Sequence, residues 1–374
     1  MKIFLVASDI FSIYNFRLPL IKCLQARSHE VVAVAPFLKF DHYVNLLKKN
    51  HVECVNVKMD IWGTNPIKEA SLFYQLLKIY RSEKPDIVQH FTIKIMIYGT
   101  LAARMANIKN IHNMITGMPF AFIMNNPKYK VVCSVIKLLC RISLLYSTNT
   151  FFANEHDRNF FVSHKLTKAE KTAVIPGSGV DTDFFKSKNF PIDRKNTTFL
   201  LVGRMLQTKG VREFAEAARQ VKHKYPKTRF LLLGMIEEGN PLSINSYELD
   251  RWQSEGVVEY LGMKNDVRAS IEEADVIVLP SYSEGISRSL LEAISMSRPV
   301  IATDIPGCQE VVFNGVNGFI VPVRDVNALV ETMEKFIFNP RLKITMGIEG
   351  RKLAVEKFDV REVNETILAS WGLL

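Results

Sequence analysis

The chain has 374 residues, 48% hydrophobic and 23% charged, which excludes a disordered or fibrous protein and exceeds what one core comfortably serves. Its five cysteines (Cys23, Cys54, Cys133, Cys140 and Cys308) are scattered, odd in number and without a CxxC pair. That pattern argues against a disulfide framework or structural zinc site and fits a reducing compartment. The net charge of +10 is uneven: residues 1–190 hold 25 Lys/Arg against 13 Asp/Glu, a balance of +12, and residues 191–374 hold 23 against 25, a balance of −2. No acidic residue lies between Asp86 and Glu155. The N-terminal half is therefore expected to meet something anionic, against the plainer reading of a solvated basic surface. No nucleic-acid-binding motif accompanies the charge, so no nucleic acid is expected as a partner.

From the N-terminus, MKIFLVASDI carries one lysine and an apolar run that stops at Asp9. It is shorter than a signal-peptide core, lacks a small-residue cleavage site, and reads as a strand, IFLVA (3–7). An amphipathic stretch near 16–28 follows, then VVAVA (31–35), DIVQHF (86–91), a helix-like YGTLAARMAN (98–107) and NIHNMI (110–115). KSKNFPIDRKN (186–196), polar with one proline, has the composition of a linker. The alternation then restarts: TTFLLVG (197–203), a helix from about Val211 to His223, RFLLLG (229–234), VVEYLG (257–262), DVIVLP (275–280), PVIAT (299–303) and GFIV (318–321). Strands alternating with helices predict βαβ units and parallel sheets, an α/β fold in two repeats over 1–185 and 190–357. No run of 18 apolar residues occurs, so no spanning helix is expected.

In open parallel sheets ligands bind at the carboxyl ends of strands, so the turns after strands are where chemistry is expected. In VLPSYSEGISRSLLEA (278–293) a buried strand ends at Pro280 and a helix is predicted to begin near Ser287. Gly285 lets backbone approach a ligand, and the N–H groups of Gly285, Ile286, Ser287 and Arg288 would form an anion site. Glu284 and Glu292 frame the turn; carboxylates accept paired hydrogen bonds from hydroxyls, Glu292 from a ribose diol and Glu284 from a donor sugar. The structural reading makes Ser289-x-x-Glu292 a capping box and Glu284 a complement to the helix dipole. A second turn, LLVGRMLQTKG (200–210), sets Arg204 and Lys209 past a strand end, two cations suited to a diphosphate leaving group or merely exposed near a helix start.

Gly203-Arg204, Lys209-Gly210 and Glu284-x7-Glu292 together resemble the GT-B glycosyltransferases of family 4, a retaining family. VIPGSGVD (174–181), PVIAT (299–303) and Asn317-Gly318-Phe319 also match it, as do SIYNFR (12–17) and PDIV (85–88) in enzymes of bacterial O-antigen, capsule and lipid-linked oligosaccharide synthesis. The resemblance implies two Rossmann-like domains facing each other across a cleft, with a helix over about 358–374 packing back on the first. It implies a hexosyltransferase similar to those adding N-acetylgalactosamine to an undecaprenyl-diphosphate-linked sugar. Arg204 and Lys209 would then hold the donor diphosphate and Glu292 the ribose. Glu284 with Gly285, Ile286 and Ser287 would hold sugar and phosphate, with Met263 beside the base and Gly177, Thr116 and Gly117 also toward the donor. Asn15, Arg17 and Lys94 are the acceptor-side candidates. The chain departs from many relatives at Ser12-Ile13, where they carry a glycine pair, and at Thr116-Gly117, where they carry His-Gly; His112 reads as a core histidine.

No acidic residue in the long central region of the N-terminal half offers a nucleophile, so same-face substitution is expected, with no metal and no cofactor beyond a nucleotide sugar, by resemblance UDP-linked. The expected acceptor is a lipid-linked saccharide. NNPKYKVVCSVIKLLCRISLLY (125–146), with Lys128, Lys130, Lys137 and Arg141, reads either as a packing helix or as a peripheral contact with the anionic cytoplasmic face of the inner membrane. The alternative within the same architecture is a nucleotide-sugar 2-epimerase.

Overall fold

The computed structural model describes residues 1–374 except 39, 62, 64, 119–121, 123–126 and 188–195, and the side chains of 127–129. Most of the linker expected over 186–196, and Asn125, Asn126 and the Lys128 side chain of the basic stretch, lie outside the described residues. The chain divides into two compact units, Met1–Ser178 with Val363–Leu374, and Gly179–Glu362.

In the first unit β1 (Lys2–Val6), β2 (Glu30–Ala35), β3 (Glu53–Asn56), β4 (Ile87–Phe91), β5 (Asn110–Ile115), β6 (Asn149–Phe152) and β7 (Thr172–Val174) form one sheet. Its order is β3-β2-β1-β4-β5-β6-β7, with every neighbour parallel. Helices α1 (Ile10–Ala26), α2 (Asp41–Lys49), α3 (Pro66–Glu83), α4 (Ile93–Met105), α5 (Pro127–Leu145) and α6 (Glu155–Ser163) connect the strands. Successive side chains of β1 enter opposite cores: Ile3 and Leu5 pack with Ile21 and Leu24, Phe4 and Val6 with Leu72 and Leu76. Each such full burial stabilises by about 1.5–3 kcal/mol, which is why the strand reads as a continuous apolar run. Helix α1 starts well ahead of the stretch expected near 16–28, because Asp9 accepts the Ser12 N–H at 2.6 Å and caps it.

In the second unit β8 (Thr198–Val202), β9 (Arg229–Leu233), β10 (Glu259–Tyr260), β11 (Val276–Leu279), β12 (Val300–Thr303) and β13 (Gly318–Val321) form a parallel sheet ordered β10-β9-β8-β11-β12-β13. Its helices are α7 (Val211–Lys224), α8 (Ser246–Ser254), α9 (Arg268–Glu273), α10 (Arg288–Ser295), α11 (Pro306–Gln309), α12 (Val326–Phe338) and α13 (Arg341–Lys357). A last helix, α14 (Val360–Ser370), carries the chain out of this unit after Glu362. Its Val363, Ile367 and Leu368, with Trp371 beyond, join the core of the first unit. The strand expected over 257–262 pairs only at Glu259–Tyr260, since the Val257 and Val258 N–H groups turn back to the Trp252 carbonyl and Gly262 takes φ +66°.

Residues 179–185, expected with the first domain, belong to the second unit. Val180 donates to the Phe358 carbonyl at 2.8 Å and accepts from Val360 at 2.9 Å, and Ser295 Oγ donates to the Phe185 carbonyl at 2.7 Å. Both sheets reverse direction of growth beside their first strand, between β1 and β4 and between β8 and β11. Such a switch point splays the connections to either side and opens a crevice at the carboxyl ends.

Candidate site at the carboxyl edge of the second sheet

Strands β8 and β11 are neighbours at the switch point, so the loops that follow them, 203–210 and 280–287, meet. The Tyr282 N–H donates to the Thr208 carbonyl at 2.8 Å, and Ser281 Oγ donates to the same oxygen at 3.0 Å. A short 3₁₀ turn, Gln207–Lys209, ends on Gly210, whose φ of +71° and closeness to the Pro280 carbonyl leave no room for a Cβ. These contacts bring the Lys209 ammonium onto the Glu284 carboxylate, with side chains 20% and 9% exposed. In so little water the pair interacts more strongly than an exposed ion pair. On the far side, Gly307 in α11 packs so closely that a Cβ would strike the carbonyl oxygens of Glu284 and Gly285. Cys308 lies buried beside it, and burial pushes its thiol up to about 12.

Past Gly285 and half-buried Ile286 the chain enters α10, capped by Ser287, which accepts from the Leu290 N–H. Ser287 being the cap, the capping box on Ser289 does not form. Glu292 instead pairs with Arg288 Nε at 2.8 Å, one turn back on the helix. Burial pushes the Glu292 carboxyl up and the Arg288 charge pulls it down. Arg288 also donates to the Gly179 carbonyl at 2.9 Å.

Arg204, half exposed, meets Glu237 at 3.0 Å, and Asn240 Nδ2 donates to the same carboxylate at 3.0 Å. Met263 follows Gly262 off the end of β10 with 43% of its surface exposed. Behind the turn, the Tyr282 hydroxyl donates to Glu213 Oε1 at 2.5 Å, and the Arg324 guanidinium stands 4.5 Å from the Tyr282 ring centroid. Glu237, Glu213, Arg324 and Gly307 escaped the sequence reading. Gly307 was within reach of it, since it follows the end of β12 as Gly285 follows β11.

In the first unit the candidates stand at the carboxyl edge of their own sheet. Asn15 donates to the Phe11 carbonyl at 3.0 Å. Arg17 is 7% exposed, 4.2 Å from the Phe91 ring centroid, with Nη2 3.2 Å from Met114 Sδ. Lys94 departs from its expected role, for its three N–H groups point inward, to the carbonyls of Asp60 at 2.7 Å and Gly63 at 2.6 Å and to Glu69 Oε1 at 2.6 Å. It ties the carbonyls of Asp60 and Gly63 to Glu69 of α3. Thr116 is exposed and Gly117 half-buried just past β5; Gly177, at φ +59°, follows β7. His112 is buried within β5 beside the Trp371 ring, 5.6 Å between centroids, and burial lowers its pKa to about 4.

Among the described residues no three His, Cys, Asp or Glu side chains gather as a metal site, and no helix is long and apolar enough to cross a membrane. Two doubly wound parallel sheets, one with a cation–carboxylate pair at its switch point, define an α/β protein of the class that binds ligands at the carboxyl ends of its strands. Residues 2–149 match the glycosyl transferase 4-like family model and residues 196–339 the glycosyl transferases group 1 model. The chain is 29% identical over 370 residues, 96% of its length and 93% of the relative's, to the N,N'-diacetylbacillosaminyl-diphospho-undecaprenol alpha-1,3-N-acetylgalactosaminyltransferase of Campylobacter jejuni. It is 29% identical over 305 residues, 79% of this chain and 77% of the other, to the UDP-Gal:alpha-D-GlcNAc-diphosphoundecaprenol alpha-1,3-galactosyltransferase of Escherichia coli. Anabaena HepE in complex with UDP shares the fold at a TM-score of 0.77 and 18% identity, covering 100% of both chains. Sucrose-phosphate synthase of Thermosynechococcus elongatus does so at 0.80 and 15%, covering 100% of this chain and 98% of that one. The chain belongs to the GT-B glycosyltransferases of the group 1, family-4-like kind. It is a hexosyltransferase, and its relatives favour transfer over epimerisation.

Proposed function

We propose that the protein moves a hexose or N-acetylhexosamine, with retention, from a UDP-sugar to a lipid-diphosphate-linked saccharide at the cytoplasmic face of the inner membrane, in bacterial surface glycan synthesis. The observation that carries this reading is the contact of Lys209 with Glu284 at the switch point of the second sheet. Lys209 and Arg204 neutralise the departing diphosphate, Glu284 and the Gly285–Ser287 backbone orient the sugar, Glu292 accepts from the ribose, and Met263 lies beside the base. The bond from the anomeric carbon to the diphosphate breaks, the acceptor oxygen bonds that carbon on the same face, and the leaving oxygen takes the acceptor's proton. Charge stabilisation of this kind supplies about 2.7–4 kcal/mol per well-placed donor, so two cations are equal to the electrostatic task without a divalent ion. The acceptor is assigned to the first unit, with Asn15 and Arg17 as its contacts.

The test is a screen of nucleotide sugars against undecaprenyl-diphosphate-linked acceptors, with and without EDTA, products read by mass and anomeric configuration. The expected result is one retained glycoside formed equally well in EDTA. Epimerised donor in the absence of acceptor, or an inverted product, would overturn the reading, and a strict divalent-metal requirement would overturn the metal-free mechanism.

A further inference from the structure

Helix α5 presents its apolar residues to the outside. Val131, Val135, Leu138, Ile142 and Leu145 recur at helical spacing along one stripe and are 72%, 50%, 57%, 38% and 60% exposed. The opposite face is the packed one: Cys140 and Leu144 join Met96, Phe152 and Phe161 in the core. A surface helix ordinarily turns its one apolar stripe inward, so a second stripe facing out marks an interaction surface.

The flanking charge is of one sign. Lys130 and Arg141 are exposed and Lys137 is half-buried, its ammonium 5.2 Å from the Phe160 ring centroid. At the far end Arg104 stands 5.6 Å from the Tyr146 ring, beside 54%-exposed Met105. No carboxylate occurs from 87 to 154 to balance them. A second copy docked on this stripe would set like charges against each other, whereas an anionic bilayer complements them. The stripe spans about 21 Å at 1.5 Å per residue and has the make-up of a helix lying in the headgroup plane.

We propose that the outward face of α5 docks the protein on an anionic bilayer, its five aliphatic side chains entering the acyl boundary and Lys130, Lys137 and Arg141 meeting lipid phosphates. The proposal deepens the lipid-linked-acceptor reading and rests on it for its purpose, but can fail separately. The full-length protein is floated with phosphatidylcholine vesicles, with and without phosphatidylglycerol. The wild type is expected to float only with the anionic vesicles. Lys130→Gln with Arg141→Gln weakens partitioning about fivefold per neutralised cation, and Leu138→Ser with Ile142→Ser abolishes flotation. Both variants keep their rate on a detergent-dispersed lipid-diphosphate acceptor and lose rate when that acceptor is embedded in vesicles. A wild type that stays in solution with anionic vesicles, variants that float unchanged, or an aliphatic variant that only turns a dimer into a monomer in sedimentation velocity would overturn the proposal. Flotation without transfer to any lipid-diphosphate acceptor would leave the docking surface standing and sink the acceptor reading.

Discussion

Arg204 and Glu237 stand 3.0 Å apart on the rim of the second sheet, and in the proposed mechanism a diphosphate competes with this carboxylate for the guanidinium. A half-exposed ion pair of this kind contributes about 0.2–1 kcal/mol. Glu237→Gln is therefore expected to lower the donor KM by about 1.5- to 5-fold with kcat kept; a higher KM in a donor titration would mean that Glu237 positions Arg204 instead. Lys209 and Glu284 differ in kind, being nearly closed off from solvent and in contact. Glu284→Gln keeps the shape and removes the charge, and should lower kcat about 10²–10³-fold; the melting temperature falls as well, because the Lys209 ammonium is left without its counter-charge. Retained turnover would remove Glu284 from the mechanism. The sequence reading singled out Arg204, Lys209 and Glu284 by their places in turns after strands, and Glu292 as the carboxylate on the helix that follows. It missed Glu237, the partner of Arg204, which sits in a loop without periodicity, and an ion pair across loops has no spacing rule. The Arg288–Glu292 pair was within reach, four residues apart on a helix.

At the scale of elements, the turn after β11 is held by backbone rather than by side chains. Thr208 accepts from Tyr282 and Ser281, and Gly210 and Gly307 press against it from either side. Gly307→Ala must move Glu284 and Gly285 to make room, so it is expected to reduce kcat/KM more than it lowers the melting temperature, read by kinetics and calorimetry on one preparation. An unchanged kcat/KM would show that the turn has slack. The alternation of apolar runs was enough to place ten of the strands to within two residues at each end, since strands buried on both faces cannot hide their composition. It overlooked β3, β6 and β7, whose short sequences ECVN, NTFF and TAV carry too little apolar length to stand out. Lys94 shows the limit of reading a cation by position. It follows β4, where a ligand-binding residue is expected, yet its ammonium donates to the carbonyls of Asp60 and Gly63 and to Glu69.

At the scale of the whole molecule, the first unit buries two histidines on adjacent strands, His90 and His112, and burial lowers both to about 4. His90 is held between the Tyr80 hydroxyl and Asn113, 3.0 Å from each. Between pH 6.5 and 4 the unfolded chain binds protons that the folded one refuses, so each histidine's contribution to stability falls as pH drops through that window, by about 3 kcal/mol in full. Buried Asp157, raised to about 6, acts in the opposite sense over the acid range. The measurement is therefore a comparison: His112→Gln should melt with a shallower loss between pH 6.5 and 4 than the wild type, and parallel curves would mean that His112 takes up its proton as readily in the fold as in the unfolded chain.

The sequence by itself determined two parallel α/β units and the turns in which to look for chemistry, because strand and helix periods and the residues past a strand's end are properties of neighbours along the chain. Only the tertiary structure decided which cation meets which carboxylate. Lys209 and Glu284 are 75 residues apart and become neighbours through the pairing of β8 with β11. It also decided that α5 turns an apolar stripe outward while Lys94 turns its charge in, since burial is set by what packs against a residue and not by the residue itself.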